Sequence, residues 1–174
     1  MNLPNKLTLL RMAMVPVYVA VLLIDFPHHI LIALGVFILA SLTDLLDGHI
    51  ARSRNLITDF GKFMDPLADK VLVLSAMICF CQLGIMPAWA VIVVVFREFA
   101  VSGMRLVAVE QGRVIAAGWS GKVKTAVTMV CLCLMHLPIP ESANWACIVL
   151  IVATTLYSGV EYFIKNRDVF KGSM

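Results

Sequence analysis

Six stretches of this chain, residues 9–24, 29–50, 61–83, 87–110, 120–136 and 143–165, are apolar over most of their length. Segments that long read as membrane spans. In hydrocarbon a backbone must satisfy its own N–H and C=O groups, which a helix does. The composition agrees: 61% of the 174 residues are hydrophobic and 14% charged, with a mean hydropathy of +0.93, too apolar for a soluble domain. The expected fold is therefore all-α, an integral membrane bundle of six transmembrane helices. Loops are short and no linker separates two parts, so residues 1–174 read as one domain. The polar opening MNLPNKLTLLR has no small-residue cleavage site after an early apolar core, and the first span is expected to remain as an anchor.

Charge sets the orientation. The connections DFPHH, QLGIMPA and LPIPESAN hold no Lys or Arg, whereas Lys6, Arg11, Arg52, Arg54, Lys62, Arg105, Arg113, Lys122, Lys124, Lys165, Arg167 and Lys171 gather at the opposite ends. By the positive-inside rule both termini face the cytoplasm. The net charge of +3 follows from this topology and is a poor argument for nucleic acid. Cys79, Cys81, Cys131, Cys133 and Cys147 all lie in apolar spans. The two Cys-x-Cys pairs point to different sides of a helix, so the thiols are expected to be buried hydrophobes rather than metal ligands or disulfides.

Four carboxylates interrupt this apolar pattern in residues 44–69. Asp44 and Asp47 are spaced i, i+3 and Asp65 and Asp69 i, i+4, so each pair shares one helix face. Acids in a membrane helix mark function. Four of them facing one another repel unless a counter-charge intervenes, and all-oxygen ligation suits a hard dication, Mg2+ or Mn2+, or two of them. From Ile30 to Thr43 the second span runs about 21 Å before Asp44, and from Val71 to Met86 the third runs about 24 Å beyond Asp69. Antiparallel helices then bring Asp44 and Asp69 to similar depth, in a polar recess facing the cytosol. Gly48 and Ala51 continue the face of Asp44 and Asp47 with small side chains, and Arg52 offers a planar cation to phosphate. Pro66 directly follows Asp65, so the third helix either starts there with Asp65 as its cap and Pro66 at its first position, or runs on from Gly61 with a kink.

The string D-x-x-D-G-x-x-A-R, eight residues, G-x-x-x-D-x-x-x-D from Asp44 to Asp69 resembles the signature of the CDP-alcohol phosphotransferases. That resemblance implies an enzyme moving a phosphatidyl group from CDP-diacylglycerol to an alcohol with release of CMP. It implies two divalent metals on Asp44, Asp47, Asp65 and Asp69, with Asp69 also the general base. Gly48, Ala51, Arg52 and Thr58 would meet the CDP part of the donor. It further implies a homodimer and a bacterial cytoplasmic membrane, with the active site on the cytosolic side.

Glu98, Ser102 and Arg105 recur at i, i+4 and i+7, a polar face on a membrane helix, and Lys122 and Lys124 open the next one. The lysines also suit an interfacial anchor on anionic headgroups. Arg97 lies nearer mid-membrane and is expected to pair with an acid. FREFAVSGMR, GKVKT and PNKLTLLR are similar to the phosphatidylglycerophosphate synthase branch of the family. That similarity implies sn-glycerol 3-phosphate as acceptor, its phosphate on Arg105, Lys122 and Lys124. Inositol phosphate, serine or phosphatidylglycerol remain as other acceptors. From a different class, a divalent-cation transporter would also use acidic ligands, but it should place them near the midplane and repeat them in both halves. His49 points away from Gly48 and reads as packing.

Overall fold

A computed structural model describes residues 3–53, 59–116 and 118–169; for residues 3, 4, 44–53, 59, 60, 62, 63, 65 and 66 it describes the backbone alone. Among the described residues the protein is all-helical, with six helices: α1 Leu3–Leu23, α2 His29–Ser53, α3 Asp59–Gln82, α4 Ala88–Glu110, α5 Trp119–Met135 and α6 Glu141–Lys165. A short 3₁₀ turn, Arg167–Val169, follows α6.

Helices begin and end where local chemistry directs. Pro87 and Pro140 occupy extended N-cap positions of α4 and α6, where a missing N–H costs nothing. Past α4, Gly112 adopts φ +71°. Its N–H bonds Val109 O at 2.9 Å while the N–H of Arg113 reaches Ala108 O at 2.8 Å, the paired bonds of a Schellman stop. Two starts differ from expectation. The first helix begins at Leu3, about six residues earlier than hydropathy alone indicates, because Pro4 falls in the first turn where proline is tolerated. The third starts at Asp59, two residues before Gly61, and continues through Pro66, so it does not begin at Pro66.

The chain forms two compact units. The first comprises Met1–Leu83 with His136–Pro138 and contains α1, α2 and α3, with α1 packed on both others. The buried stripe of α1 is Thr8, Arg11, Val15, Tyr18 and Leu22, at three- and four-residue spacing, with Asn5 ahead of it. An aromatic cluster locks the three helices together. The His136 ring lies 5.9 Å from Tyr18, 5.7 Å from Phe37 and 4.7 Å from Phe80, the last edge-on. The Tyr18 hydroxyl and His136 Nε2 share a 3.0 Å hydrogen bond. All four side chains are buried.

The second unit comprises Gly84–Met135 and Ile139–Met174. Here α6 packs on α4 and α5. Val101, Met104 and Tyr162 form a buried cluster against which Ile115 and Phe163 pack. Gln111 Nε2 donates to Val169 O at 2.9 Å, fastening the 3₁₀ turn to the end of α4.

Among the described residues two helical segments are long and apolar enough to cross a membrane, Asn5–Leu23 and Glu141–Lys165; His29–Thr43 is apolar but shorter. Helix α4 is interrupted by Arg97, Glu98 and Arg105, and α5 is 17 residues long. Their surfaces are nonetheless apolar: on α4, Ile92, Phe96, Phe99 and Leu106 are each more than 60% exposed. The five cysteines are free, with Cys79, Cys131 and Cys147 buried and Cys81 and Cys133 half-buried, as expected of packing residues.

Candidate active site

The four aspartates lie in one unit, Asp44 and Asp47 on α2 and Asp65 and Asp69 on α3. The side chains of Asp44, Asp47 and Asp65, and of Ala51 and Arg52 with them, lie outside the described residues, as does all of Thr58. Asp69 is half-buried. Helix direction follows from the aromatic cluster. Phe37 and Phe80 meet the same His136 ring, so their stretches of α2 and α3 lie close together. From there α2 runs 16 residues to Ser53 and α3 reaches back 21 residues to Asp59, about 24 Å and about 32 Å of helix. The five-residue connection 54–58 reaches only about 20 Å. Parallel helices could not be joined by it. The pair is antiparallel, and both aspartate segments lie on the same side of the cluster.

Along its own helix each aspartate lies beyond its phenylalanine, by about 10 Å for Asp44 and about 15 Å for Asp47 on α2, and by about 16 Å for Asp69 and about 22 Å for Asp65 on α3.

The sequence reading missed a cation. Arg11, counted there only as a marker of orientation, is 0% exposed. It lies seven residues before Tyr18, and the Tyr18 ring is 5.7 Å from Phe37. Asp44 lies seven residues beyond Phe37, so Arg11 and Asp44 are each about 10 Å along their own helices from that aromatic pair. The signal was present as Asn5, Thr8 and Arg11 at i, i+3 and i+6, a polar stripe on one face of an apolar helix. The four carboxylates carry four negative charges. Hard oxygen donors with that charge fit one or two divalent cations. Among the described residues, with three of the four aspartate side chains outside that set, no group of three metal-ligating side chains comes together.

The residues expected at the acceptor phosphate have three different surroundings. Lys124 is buried and donates to Glu98 Oε1 at 2.6 Å. Arg97, expected to find an acid, donates from Nη1 to that same oxygen at 2.9 Å. Arg105 is exposed; its Nε donates to the Tyr162 hydroxyl at 3.2 Å and its guanidinium sits 5.6 Å from the Tyr162 ring centroid. Lys122 is exposed at the start of α5. Tyr162 also borders a cavity of about 340 Å³ lined by Arg113, Ser120, Glu161, Lys165 and Asn166, in which Lys165 bonds Glu161.

Residues 1–157 match the family model described as CDP-alcohol phosphatidyltransferase. The chain belongs to that family. Among curated relatives of this CDP-alcohol phosphatidyltransferase is a CDP-diacylglycerol--glycerol-3-phosphate 3-phosphatidyltransferase of Bacillus subtilis (strain 168). It is 44% identical, covering 99% of this chain and 98% of the relative. A probable phosphatidylglycerophosphate synthase of Mycobacterium tuberculosis (strain H37Rv) is 40% identical over 97% of this chain and 83% of its own length. A CDP-diacylglycerol--glycerol-3-phosphate 3-phosphatidyltransferase of Salmonella typhimurium is 35% identical over 95% of both.

Proposed function

We propose that this member of the family transfers the phosphatidyl group of CDP-diacylglycerol to sn-glycerol 3-phosphate, giving phosphatidylglycerophosphate and CMP. What supports the reading is the Asp44–Asp69 string, carried on two neighbouring helices, in a chain whose relatives, over nearly its whole length, bear that activity in their names. The chain acts as a single domain, a six-span bundle in the bacterial cytoplasmic membrane, with both termini and the polar recess toward the cytosol. Two helices of spanning length and the exposed apolar face of α4 support that placement. It works as a homodimer surrounded by membrane lipids.

Asp44, Asp47, Asp65 and Asp69 hold two divalent ions, Mg2+ or Mn2+. When bound, these ions neutralise diphosphate oxygens and stabilise the departing CMP. Gly48 and Ala51 let the donor's CDP approach the backbone of α2, while Arg52 and Thr58 bind it. Arg105, Lys122 and Lys124 hold the phosphate of the acceptor, which selects a phosphorylated alcohol over a neutral one. Asp69 takes the proton from the attacking hydroxyl as the oxygen closes on phosphorus. Arg11 offsets one carboxylate and limits repulsion within the set.

The test is turnover by purified full-length protein in detergent, supplied with CDP-diacylglycerol and labelled glycerol 3-phosphate, with and without chelator. Serine, inositol phosphate and phosphatidylglycerol serve as competing acceptors. Labelled phosphatidylglycerophosphate should form only with metal present, and Asp69→Asn should lower kcat by about 10²–10⁴-fold. Full product formation by Asp69→Asn would remove the proposed base, and preference for another alcohol would remove the acceptor.

A further inference from the structure

One face of α6 changes chemistry at every turn. Lys165, Glu161, Tyr157 and Ala153 follow one another at four-residue spacing, over about 18 Å of helix. Their order, cation, acid, aromatic ring and methyl, is the order of headgroup, interface and hydrocarbon met on entering a bilayer. On α5, which packs against α6, Trp119 and Val123 repeat the step from aromatic to aliphatic. Trp119 and Tyr157 are 78% and 69% exposed.

Two adjoining hollows lie along this face. Arg113, Ser120, Glu161, Tyr162, Lys165 and Asn166 line the cavity of about 340 Å³, and Trp119, Val123, Ala153, Thr154 and Tyr157 line a groove of about 470 Å³. Ser120 and Glu161 border both. The groove makes no polar demand at Thr154, whose hydroxyl bonds back to Leu150 O at 2.7 Å. The cavity does make one. Arg113 and Lys165 against Glu161 leave its lining at +1. Lys165 bonds Glu161 Oε1, while Glu161 Oε2 is buried without a hydrogen-bond partner. Such an acceptor is rare in folded proteins because it forfeits its hydration. Cation and orphaned acceptor together call for a ligand that brings both a negative charge and a donor.

We infer that this face seats a membrane phospholipid with an anionic, hydroxyl-bearing headgroup, of the chemistry of phosphatidylglycerol. Its phosphodiester lies beside Arg113, a headgroup hydroxyl donates to Glu161 Oε2, and one acyl chain follows the groove between α5 and α6. Basic pockets between helices on the cytoplasmic side are where anionic headgroups bind. A choline lipid brings neither net charge nor donor, and free phosphate brings charge but leaves the groove unfilled. The site rests on the membrane placement given above and is independent of the acceptor, since Arg113, Ser120, Glu161 and Lys165 belong neither to the aspartate string nor to the cations assigned to the acceptor's phosphate.

The test places full-length protein in phosphatidylcholine nanodiscs doped with phosphatidylglycerol, phosphatidylmethanol or phosphatidylcholine, each carrying a photoreactive diazirine in one acyl chain. Labelled peptides are identified by mass spectrometry after irradiation. Label should fall on residues 119–123 and 153–157, about fivefold more with the glycerol headgroup than with choline, the factor one basic side chain contributes at a membrane surface. Phosphatidylmethanol, anionic but without a hydroxyl, should label about twofold less than phosphatidylglycerol. Arg113→Ala should erase the preference over choline and leave KM for glycerol 3-phosphate within about twofold. Equal labelling by glycerol and choline headgroups, a preference that survives Arg113→Ala, or label displaced by inorganic phosphate overturns the inference. Stronger displacement by CDP-diacylglycerol than by phosphatidylglycerol gives the groove to the donor and overturns it as well. Protein that stays in solution without detergent overturns the membrane placement, and this site with it. If Arg113→Ala does not yield folded protein, the headgroup comparison on wild type decides the matter.

Discussion

Removing one oxygen atom from the first unit should loosen the scaffold on which the aspartates stand. Tyr18→Phe keeps the ring, and therefore its contacts with Phe37 at 5.7 Å and His136 at 5.9 Å. What it deletes is the 3.0 Å hydrogen bond to His136 Nε2. Tyr18 is 0% and His136 2% exposed, so this hydrogen bond is lost in a buried setting that water does not reach. A deserted buried polar group costs about 1–3 kcal/mol, whereas interhelical hydrogen bonds in membranes average nearer 0.6 kcal/mol because the unfolded helices also find partners in lipid. A loss of about 1–2 kcal/mol is expected, which raises the population of the opened cluster by about 5–30-fold.

Cys79 provides the measurement. Its thiol is 4% exposed and sits one residue before Phe80, whose ring meets His136 edge-on at 4.7 Å. Maleimide labelling followed by mass spectrometry should show Cys79 reacting about 5–30 times faster in Tyr18→Phe, the same factor as the opening equilibrium. Cys147, buried in the other unit, should keep its rate and serve as the internal control. Tyr18→Phe with His136→Phe, which removes both polar partners and keeps two rings, should recover most of the loss. An unaltered Cys79 rate in Tyr18→Phe, or a double variant worse than the single, would refute the argument that this hydrogen bond holds the three helices together.

Three further outcomes are expected. Gly112→Ala should destabilise the end of α4 by about 1 kcal/mol, read as a lower thermal midpoint, because a Cβ there meets nothing within 4 Å but φ +71° disfavours every L side chain; Gly112→Asn should lose less. Arg105→Lys should raise KM for glycerol 3-phosphate several-fold, because an ammonium has no planar fork with which to keep both the Tyr162 hydroxyl and its ring. Calorimetry on Asp44→Asn/Asp47→Asn should show Mg2+ or Mn2+ uptake lost or sharply weakened, and unchanged uptake would exclude α2 from the metal site.

The helices were readable because each is a sustained apolar run with glycine or proline near at least one of its ends, and five of the six lie within a few residues of expectation at each end. The aspartate pairs were readable because their spacing is local: i, i+3 and i, i+4 specify a helix face without knowledge of the fold. Arg11 was misjudged because an arginine near the end of a span has two causes, topology and burial, and only its neighbours across the bundle distinguish them. The bond between Tyr18 and His136 joins residues 118 positions apart, and the one between Lys124 and Glu98 spans 26. No periodicity within a single helix contains either.

Hydropathy and function compete for the same positions, and this explains which helices identify themselves as spans. Among the described residues α1 and α6 are long and apolar enough to span over nearly their whole lengths. Helix α4 loses that apolarity through Arg97, Glu98 and Arg105, and α5 is 17 residues long and opens on Lys122 and Lys124. Yet Phe96 and Phe99, flanking the ion pair on α4, are 76% and 70% exposed, while Arg97 and Glu98 between them are turned inward at 12% and 13%. A helix with charge inside and aromatic rings outside is inverted relative to a soluble protein and suited to lipid. Averaged hydropathy cannot register that inversion, because it sums over both faces. The side on which each residue lies carries the information.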